Sequence, residues 1–294
     1  MEIKLILCPI DFPEFSVRAY RYALSVAEHY RAKLVAQHIV ELWRHPSAGF
    51  AASAQLYDEF CSALQDNGWE ELQKFAKNHT DSEIRPELMV QMGSAPDSIL
   101  SFAEAQKADV IVMGTHGGRG YDRLTLGSVT NRVMRTAPCP VLVVSNAPRD
   151  SMPEGQEHGQ VHRLTRILFC TDFSKNSETA LKYAISATEE YDAELTLLHV
   201  LEDIPSKSRE GTIKATTEQL EKLIPLEERK TLKIKTAVRI GKPYQQIIQL
   251  ALETQADMVA MGVRGRGALD LAVFGSTTYR VMQLGPCPVL AVHV

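Results

Sequence analysis

Long apolar runs are missing from the sequence: no segment reaches the roughly 20 residues that a membrane-spanning helix needs. An excess of charge of one sign is also missing, because 32 lysines and arginines stand against 36 aspartates and glutamates, for a formal net charge of −4. Such a balance gives no reason to expect an acidic membrane or a nucleic acid as a partner. We therefore expect that the protein binds neither.

Paired cysteines are absent as well. The cysteines are odd in number and contain no C-x-x-C pair; they are Cys8, Cys61, Cys139, Cys170 and Cys287. This pattern favours reduced, mostly buried thiols, and it predicts a cytoplasmic protein. No other ligand stands at metal-binding spacing from these cysteines, so we expect no metal site in the protein itself.

The motifs of several enzyme classes are missing too. The chain has no G-x-x-x-x-G-K-[ST] loop, no G-x-S-x-G turn and no H-E-x-x-H helix. Its G-R-G segments lack the third glycine of the dinucleotide fingerprint, which disfavours NAD. No residue pattern supplies a positioned base, nucleophile or metal carboxylate for phosphoryl transfer, so we do not expect fast catalytic turnover.

What the chain does contain is an internal repeat. Residues 6–12 are echoed by residues 167–173, at a spacing of 161 residues. From Gly93 onward the spacing is 148, and it holds through the P-C-P-V-L segments at 138–142 and 286–290, so the first copy carries 13 extra residues. The chain is a tandem duplication.

The repeat predicts two domains, over residues 1–147 and 162–294, joined by a linker over 148–161. The linker is polar, contains two prolines and two glycines, and shows no apolar period. Each domain is long enough to bury a core of its own.

Apolar runs alternate with helical patterns in each copy, and the run at 110–113 is apolar throughout, as in a parallel sheet covered on both faces. Helical spacing is present over 16–30 and 177–191. This alternation predicts a doubly wound α/β sheet, which binds ligands beyond the carboxyl ends of its strands where the strand order reverses. The predicted strands are 3–9, 33–39, 85–91, 110–114 and 141–145, then 166–170, 194–200, 233–239, 258–262 and 289–292.

The segment after the fourth strand of each copy has one glycine pattern, G-x2-G-x9-G-S. We expect the first glycine to let the backbone pass close to a ligand, and the second to allow a turn with positive φ and inward-facing amides. The G-S pair then opens a helix, whose free amides suit phosphate oxygens. Alternatively, the glycines only make turns and the serines are only N-caps. The pattern lies at Gly114, Gly117, Gly127 and Ser128, and at Gly262, Gly265, Gly275 and Ser276.

An aspartate follows the first strand of each copy, at Asp11 and Asp172. A carboxylate there would repel phosphate, so its expected partner is a ribose hydroxyl or an adenine donor; capping of the next helix is the alternative. Ile39 and Val200 end the second strand, where they either flank a base or belong to the core. His38 and His199 are equivalent across the copies and are expected to be core residues.

The 13 extra residues fall within 45–79, where aromatic and apolar side chains recur at helical spacing. This segment predicts a longer helical region than the second copy has. It either packs on the sheet or forms a lid or partner surface.

Several of these segments resemble the universal stress protein family. The resemblance lies in M-G-T-H-G from Met113, G-S-V-T from Gly127 and A-P-C-P-V-L-V-V from Ala137, and in M-G-V-R-G from Met261 and F-G-S-T-T from Phe274. It covers nearly the whole chain apart from the linker, and a tandem of two domains is a known form of the family.

The resemblance implies two five-stranded parallel sheets of order 3-2-1-4-5, of the adenine-nucleotide alpha-hydrolase-like type. It implies a site for ATP, or for AMP or ADP, with Mg²⁺ held by the phosphates. It also implies that the halves pair through their last strands and that the protein forms a homodimer. With the residue patterns above, it predicts nucleotide binding by Pro9, Asp11, Ile39, Gly114, Gly117, Gly127, Ser128, Val129, Thr130, Asp172, Val200, Gly262, Arg264, Gly265, Gly275, Ser276, Thr277 and Thr278.

The copies depart from the family pattern at two positions. Cys170 stands where the first copy has Pro9, and Arg264 stands where it has His116, so the two sites need not have equal affinity. The expected function is that of a stress-response regulator, whose nucleotide occupancy changes a surface read by an unidentified partner protein. The alternatives are a weak ATPase or nucleotide-processing enzyme, with slow hydrolysis at most, and a scaffold or binder of a small apolar ligand.

Overall fold

The chain folds into two compact units. The structure, a computed structural model, describes residues 2–12, 14–42, 54–81, 83–115, 126–145, 164–203, 205, 208–263 and 275–293. The described residues up to 145 form the first unit and those from 164 form the second. The predicted linker lies outside the described residues, so its boundaries stay a prediction.

In the first unit, five parallel strands lie in the order β3-β2-β1-β4-β5, and one helix connects each strand to the next along the chain. The order reverses beside β1, which lies between β2 and β4. The elements are β1 (Leu5–Ile10), α1 (Glu14–Tyr30), β2 (Lys33–Val40), α2 (Ala54–His79), β3 (Glu87–Met92), α3 (Ala95–Ala105), β4 (Val110–Gly114), α4 (Ser128–Thr136) and β5 (Val141–Val144).

The second unit repeats this topology, with parallel strands in the order β8-β7-β6-β9-β10. The expected order 3-2-1-4-5 is therefore confirmed in both units. The elements are β6 (Arg166–Cys170), α5 (Lys175–Tyr191), β7 (Glu194–Leu201), α6 (Arg209–Lys222), α7 (Leu226–Thr231), β8 (Lys233–Ile240), α8 (Pro243–Glu253), β9 (Met258–Gly262), α9 (Ser276–Leu284) and β10 (Val289–Val292).

The central strands form the core of each unit. Ile6 and Leu7 of β1 and Ile111 of β4 are fully buried, as are Ile167 and Leu168 of β6. Strands buried on both faces need no polar side, which is why their sequences are apolar throughout. All ten predicted strands agree with the observed strands to within two residues at each end.

Helix α2 lies within the segment that carries the extra residues of the first copy, and its 26 residues exceed the 20 of α6 and α7 together, so the expected longer helix is present. Its second half packs on the sheet, because a Cβ placed on Gly68 would lie 3.1 Å from Val40 Cγ2 and 3.2 Å from His38 Cδ2. Leu72, four residues further along, is fully buried. The packing alternative therefore holds for this half, whereas residues 55–59 in the first half are exposed.

An aspartate before the fourth strand of each unit holds the start of the first strand. Asp109 Oδ2 accepts hydrogen bonds from the backbone amides of Lys4 and Leu5, at 2.8 and 2.9 Å. Asp257 accepts two amides at the start of β6 in the same way, at 2.8 and 2.9 Å. Bonds to an ionised acceptor are stronger than neutral ones, so these contacts help fix the alignment of the two neighbouring strands.

We expect Asp109→Ala to lower the free energy of unfolding by about 1–3 kcal/mol, because two backbone amides lose a charged acceptor. Urea denaturation followed by circular dichroism measures the change. The matched control is Asp97→Ala, which removes an exposed carboxylate paired with Arg132 and should cost less than about 1 kcal/mol. Equal losses in the two variants would contradict the role given to Asp109.

Candidate functional site

The predicted site residues of the first unit gather at one edge of the sheet, beyond the carboxyl ends of its strands. Pro9 is the second-to-last residue of β1, and Asp11 follows that strand directly. Ile39 lies near the end of β2, and Gly114 is the last residue of β4. Because β1 lies between β2 and β4, these residues surround the point where the strand order reverses, which is where doubly wound sheets bind ligands.

The second unit places the equivalent residues in the same way. Asp172 follows β6 after one intervening residue, Val200 lies near the end of β7, and Gly262 ends β9. Val200 is partly exposed, whereas Ile39 is only 9% exposed. The second unit therefore offers more apolar surface at this position than the first.

The glycine loop of each unit is closed at its base by a backbone hydrogen bond. The amide of Gly127 donates to the carbonyl of Thr115 at 2.8 Å, and the amide of Gly275 donates to the carbonyl of Val263 at 3.3 Å. The bond brings the end of the fourth strand next to the start of the following helix. Gly117, Arg264 and Gly265 lie within these loops and outside the described residues, so their roles stay predictions.

Helices α4 and α9 begin after a glycine. Their N-caps are Gly127 and Gly275, and among the residues that the structure describes no side chain makes a capping hydrogen bond at either position. The amides of the first three helical residues, 128–130 and 276–278, have no acceptor within their own helix. The helix dipole adds a partial positive charge at the same place, so each helix start suits an anion.

Ser128 and Ser276 are the first residues inside these helices, and not their N-caps. The interpretation that they act only as caps is therefore wrong, because glycine already occupies the cap position. Both serines are exposed. Val129 and Thr277 follow them as the second helical residues and are partly exposed.

Thr130 and Thr278 have a structural role that the sequence analysis missed. Both are buried, and their hydroxyls donate to the carbonyls of Gly114 and Gly262, at 2.9 and 3.1 Å. Each bond ties the third residue of a helix to the end of the preceding strand. The hydroxyl hydrogen is thus already used, which leaves the backbone amide as the donor for a ligand. A threonine at the equivalent position of both copies is the sequence signal that could have indicated this role.

Gly262 is required by the packing of the protein itself. A Cβ at this position would lie 2.9 Å from the carbonyl carbon of Asn176 and 3.0 Å from the amide nitrogen of Ser177, both in the first turn of α5. These atoms belong to the helix backbone, which cannot shift as easily as the end of a flexible side chain. Glycine is therefore needed at this position to make room for α5, and not only for a ligand as the sequence predicts. A contact between Gly262 and a ligand stays a prediction.

The two aspartates are held by different neighbours. The hydroxyl of Ser16 donates to Asp11 Oδ1, and the amide of Asp11 donates to Ser16 Oγ at 3.3 Å, which ties the end of β1 to the first turns of α1. Asp172 Oδ1 accepts the amide of Ser174 at 3.1 Å. Ser174 is the N-cap of α5, so the capping alternative for Asp172 is wrong.

A histidine and a phenylalanine flank each aspartate in the same arrangement. His38 contacts the ring of Phe12, which follows Asp11, with ring centroids 4.4 Å apart. His199 contacts Phe173 in the second unit, with centroids 4.6 Å apart. The sequence patterns predict core positions for the histidines and do not predict this contact, although histidine and phenylalanine recur at the spacing of 161.

Cys170, which replaces Pro9, is not a reactive thiol. The side chain is buried, and burial raises the pKa of the thiol far above its usual range, because a thiolate would lose its hydration. Burial also raises the pKa of Cys139 to about 12. Cys8 and Cys287 are buried as well, which confirms the expected burial for four of the five thiols.

The described residues also bear on two other kinds of site. None of the helices that the structure describes is long and apolar enough to cross a bilayer. Within the described ranges, no group of three or more histidine, cysteine, aspartate or glutamate residues is arranged to hold a metal ion.

We expect Gly262→Ala to destabilise the protein by about 1–3 kcal/mol, because its methyl group would overlap the backbone of α5. Urea denaturation gives the free energy of unfolding. Gly211→Ala is the matched control: nothing lies within 4 Å of the added Cβ, and alanine in a helix should stabilise by about 0.5–1 kcal/mol. A Gly262→Ala variant as stable as the parent would rule out the close approach of α5.

Comparison with known proteins agrees with this architecture. The model of the universal stress protein family matches residues 2–145 and 164–293. Universal stress protein MJ0531 of Methanocaldococcus jannaschii is 33% identical over 147 residues, which are 50% of this chain and 85% of that protein. Universal stress protein Sll1654 of Synechocystis is 32% identical over 143 residues, which are 47% of this chain and 91% of that protein.

A solved structure supports the fold over the full length. The crystal structure of a universal stress protein from Archaeoglobus fulgidus aligns with 100% of this chain and 99% of its own, at a TM-score of 0.72 and 20% identity. Each unit thus shares its doubly wound α/β fold with that protein. With both repeats matched by the family model, the chain belongs to the universal stress protein family, as a tandem of two family domains.

Proposed function

We propose that the protein is an ATP-binding regulator of the stress response, with one adenine nucleotide at the carboxyl edge of each sheet. Nucleotide occupancy then changes a surface that a partner protein reads. The observation that carries the proposal is an uncapped helix start at this edge in both units, opposite an aspartate that follows the first strand. Homodimer formation is part of the proposal and rests on the family resemblance alone.

The phosphates belong at the helix starts. Residues 128–130 and 276–278 present backbone amides without an acceptor in their helices, and the exposed hydroxyls of Ser128 and Ser276 lie in the same turns. Hydrogen bonds to a charged acceptor contribute about 1.5–3 kcal/mol each. The loop base closed by Gly127 and Gly275 keeps these amides next to the strand ends. Mg²⁺, where present, is held by the phosphates.

The ribose and base belong on the side of the first and second strands. An ionised carboxylate only accepts hydrogen bonds, so Asp11 and Asp172 suit ribose hydroxyls or the adenine amino group and repel phosphate. This repulsion orients the nucleotide in the site, with its phosphates away from the aspartate. Ile39 and Val200 border the same edge and flank the base, with Val200 offering the larger exposed surface.

Native mass spectrometry of the full chain with Mg-ATP tests the proposal. We expect two nucleotides per chain, one after Gly127→Val or Gly275→Val, and none in the double variant. The reason is that a valine fills the space in front of the amides, and at Gly275 a Cβ would already lie 3.2 Å from the Val263 carbonyl oxygen. Gly211→Ala serves as the control and should retain two nucleotides. Unchanged stoichiometry in both valine variants, with circular dichroism showing intact folding, would overturn the proposal.

A regulator is expected to keep its nucleotide. We expect bound ATP to be recovered largely intact after prolonged incubation of the purified protein, with slow phosphate release at most. Quantifying ATP, ADP and AMP by chromatography of the denatured complex measures this. Turnover in the range of ordinary enzymes, about 1–10³ s⁻¹, would favour the alternative of a nucleotide-processing enzyme.

A further inference from the structure

We propose that His38 and His199 are positioning residues that hold Asp11 and Asp172 in the conformation that receives the nucleotide. They act through the backbone on both sides of the aspartate and do not touch the ligand. The inference rests on the proposed function, and it concerns what keeps the aspartate of each site in place.

The chain makes a strained bend directly after each aspartate. Phe12, which follows Asp11, has φ 70°, and Phe173, which follows Asp172, has φ 59°. A bulky residue is rarely found in this left-handed region, because its Cβ crowds the neighbouring carbonyl oxygen. Such a conformation persists only where the surrounding structure over-determines it. The same strain at the same place in both units indicates a shared constraint.

In the first unit, the imidazole of His38 contacts the chain before and after Asp11. Its Nδ1 lies 2.9 Å from the carbonyl oxygen of Ile10, the residue before the aspartate. Its ring packs on the ring of Phe12, the residue after the aspartate, with an angle of 41° between the ring planes. A carbonyl oxygen only accepts, so Nδ1 carries the hydrogen and donates it.

The second unit repeats both contacts. His199 Nδ1 donates to the carbonyl of Thr171, the residue before Asp172, over a distance of 2.8 Å. The imidazole packs on Phe173 with an angle of 35° between the rings. The hydrogen bond is the same although Thr171 stands where the first copy has Ile10, because its acceptor is a main-chain carbonyl and not a side chain.

Two contacts from one imidazole therefore restrain the backbone on both sides of the aspartate. The carbonyl bond holds the strand end and the ring contact holds the bend, so the main-chain position from which the carboxylate projects is fixed. A site whose acceptor is already in place loses less conformational freedom on binding. Removal of the histidine should thus weaken nucleotide binding although no contact with the ligand is lost.

The first site can be tested alone in the full chain carrying Gly275→Val, with Mg-ATP titrated by isothermal calorimetry. We expect His38→Leu to raise Kd about tenfold, because it removes the hydrogen bond and the aromatic contact. His38→Asn should stay within about threefold of the parent, because its side-chain amide can replace the Nδ1–H donor. His29→Leu is the matched control: this half-buried histidine lies in the last turn of α1, away from the carboxyl edge, and its loss should leave Kd unchanged.

A double-mutant cycle separates positioning from general packing. In an Asp11→Ala background, His38→Leu should change Kd by less than about twofold, because the carboxylate that it positions is gone. An effect of equal size with and without Asp11 would show that the histidine only stabilises the fold, and would overturn the inference. So would an unchanged Kd in His38→Leu alone. Absence of nucleotide binding by the unaltered chain would instead overturn the proposed function, and this inference with it.

Discussion

Helices α4 and α9 have glycine as their N-cap residue, which supplies no side-chain acceptor for the backbone amides of the first turn, and these amides are the feature on which the candidate site depends. A serine or aspartate at the cap position would satisfy one of these amides and compete with an anionic ligand. The hydroxyl of Thr130 or Thr278 then anchors the helix start to the strand end, so the open amides keep a fixed position. A buried anchor and an uncapped end thus work together in each unit.

Each unit combines a rigid frame with this open edge. Asp109 and Asp257 hold the amino ends of the central strands, at the side of the sheet opposite the site. The contact of Gly262 with the first turn of α5 holds the carboxyl end of β9. In the second unit the central strands are therefore fixed at both ends, and the candidate site lies at one of these fixed ends. Stored backbone strain at Phe12 and Phe173 is tolerated within such a frame.

The sequence predicts the strands well because parallel strands buried on both faces need unbroken apolar runs, as at Ile111 and its neighbours. It also places the aspartates, serines and described glycines of the two patterns at the carboxyl edge of each sheet, since topology alone brings strand ends together. It does not predict why Gly262 is glycine, because the helix backbone that excludes a Cβ belongs to a distant part of the chain. His38 was assigned to the core for a similar reason: its partner is a main-chain carbonyl, which no residue pattern encodes.

The anchor between Thr130 and Gly114 spans only 16 residues, and its counterpart in the second unit spans the same number. The strand end and helix start of each candidate site are consequently encoded by a short piece of sequence, and the whole site lies within one unit. After a gene duplication, one site can accumulate substitutions without compensating changes in the other half of the polypeptide. The exchange of Pro9 for Cys170 is one such divergence, and under the proposed function a fused pair of this kind can evolve two sites of unequal affinity within a single gene product.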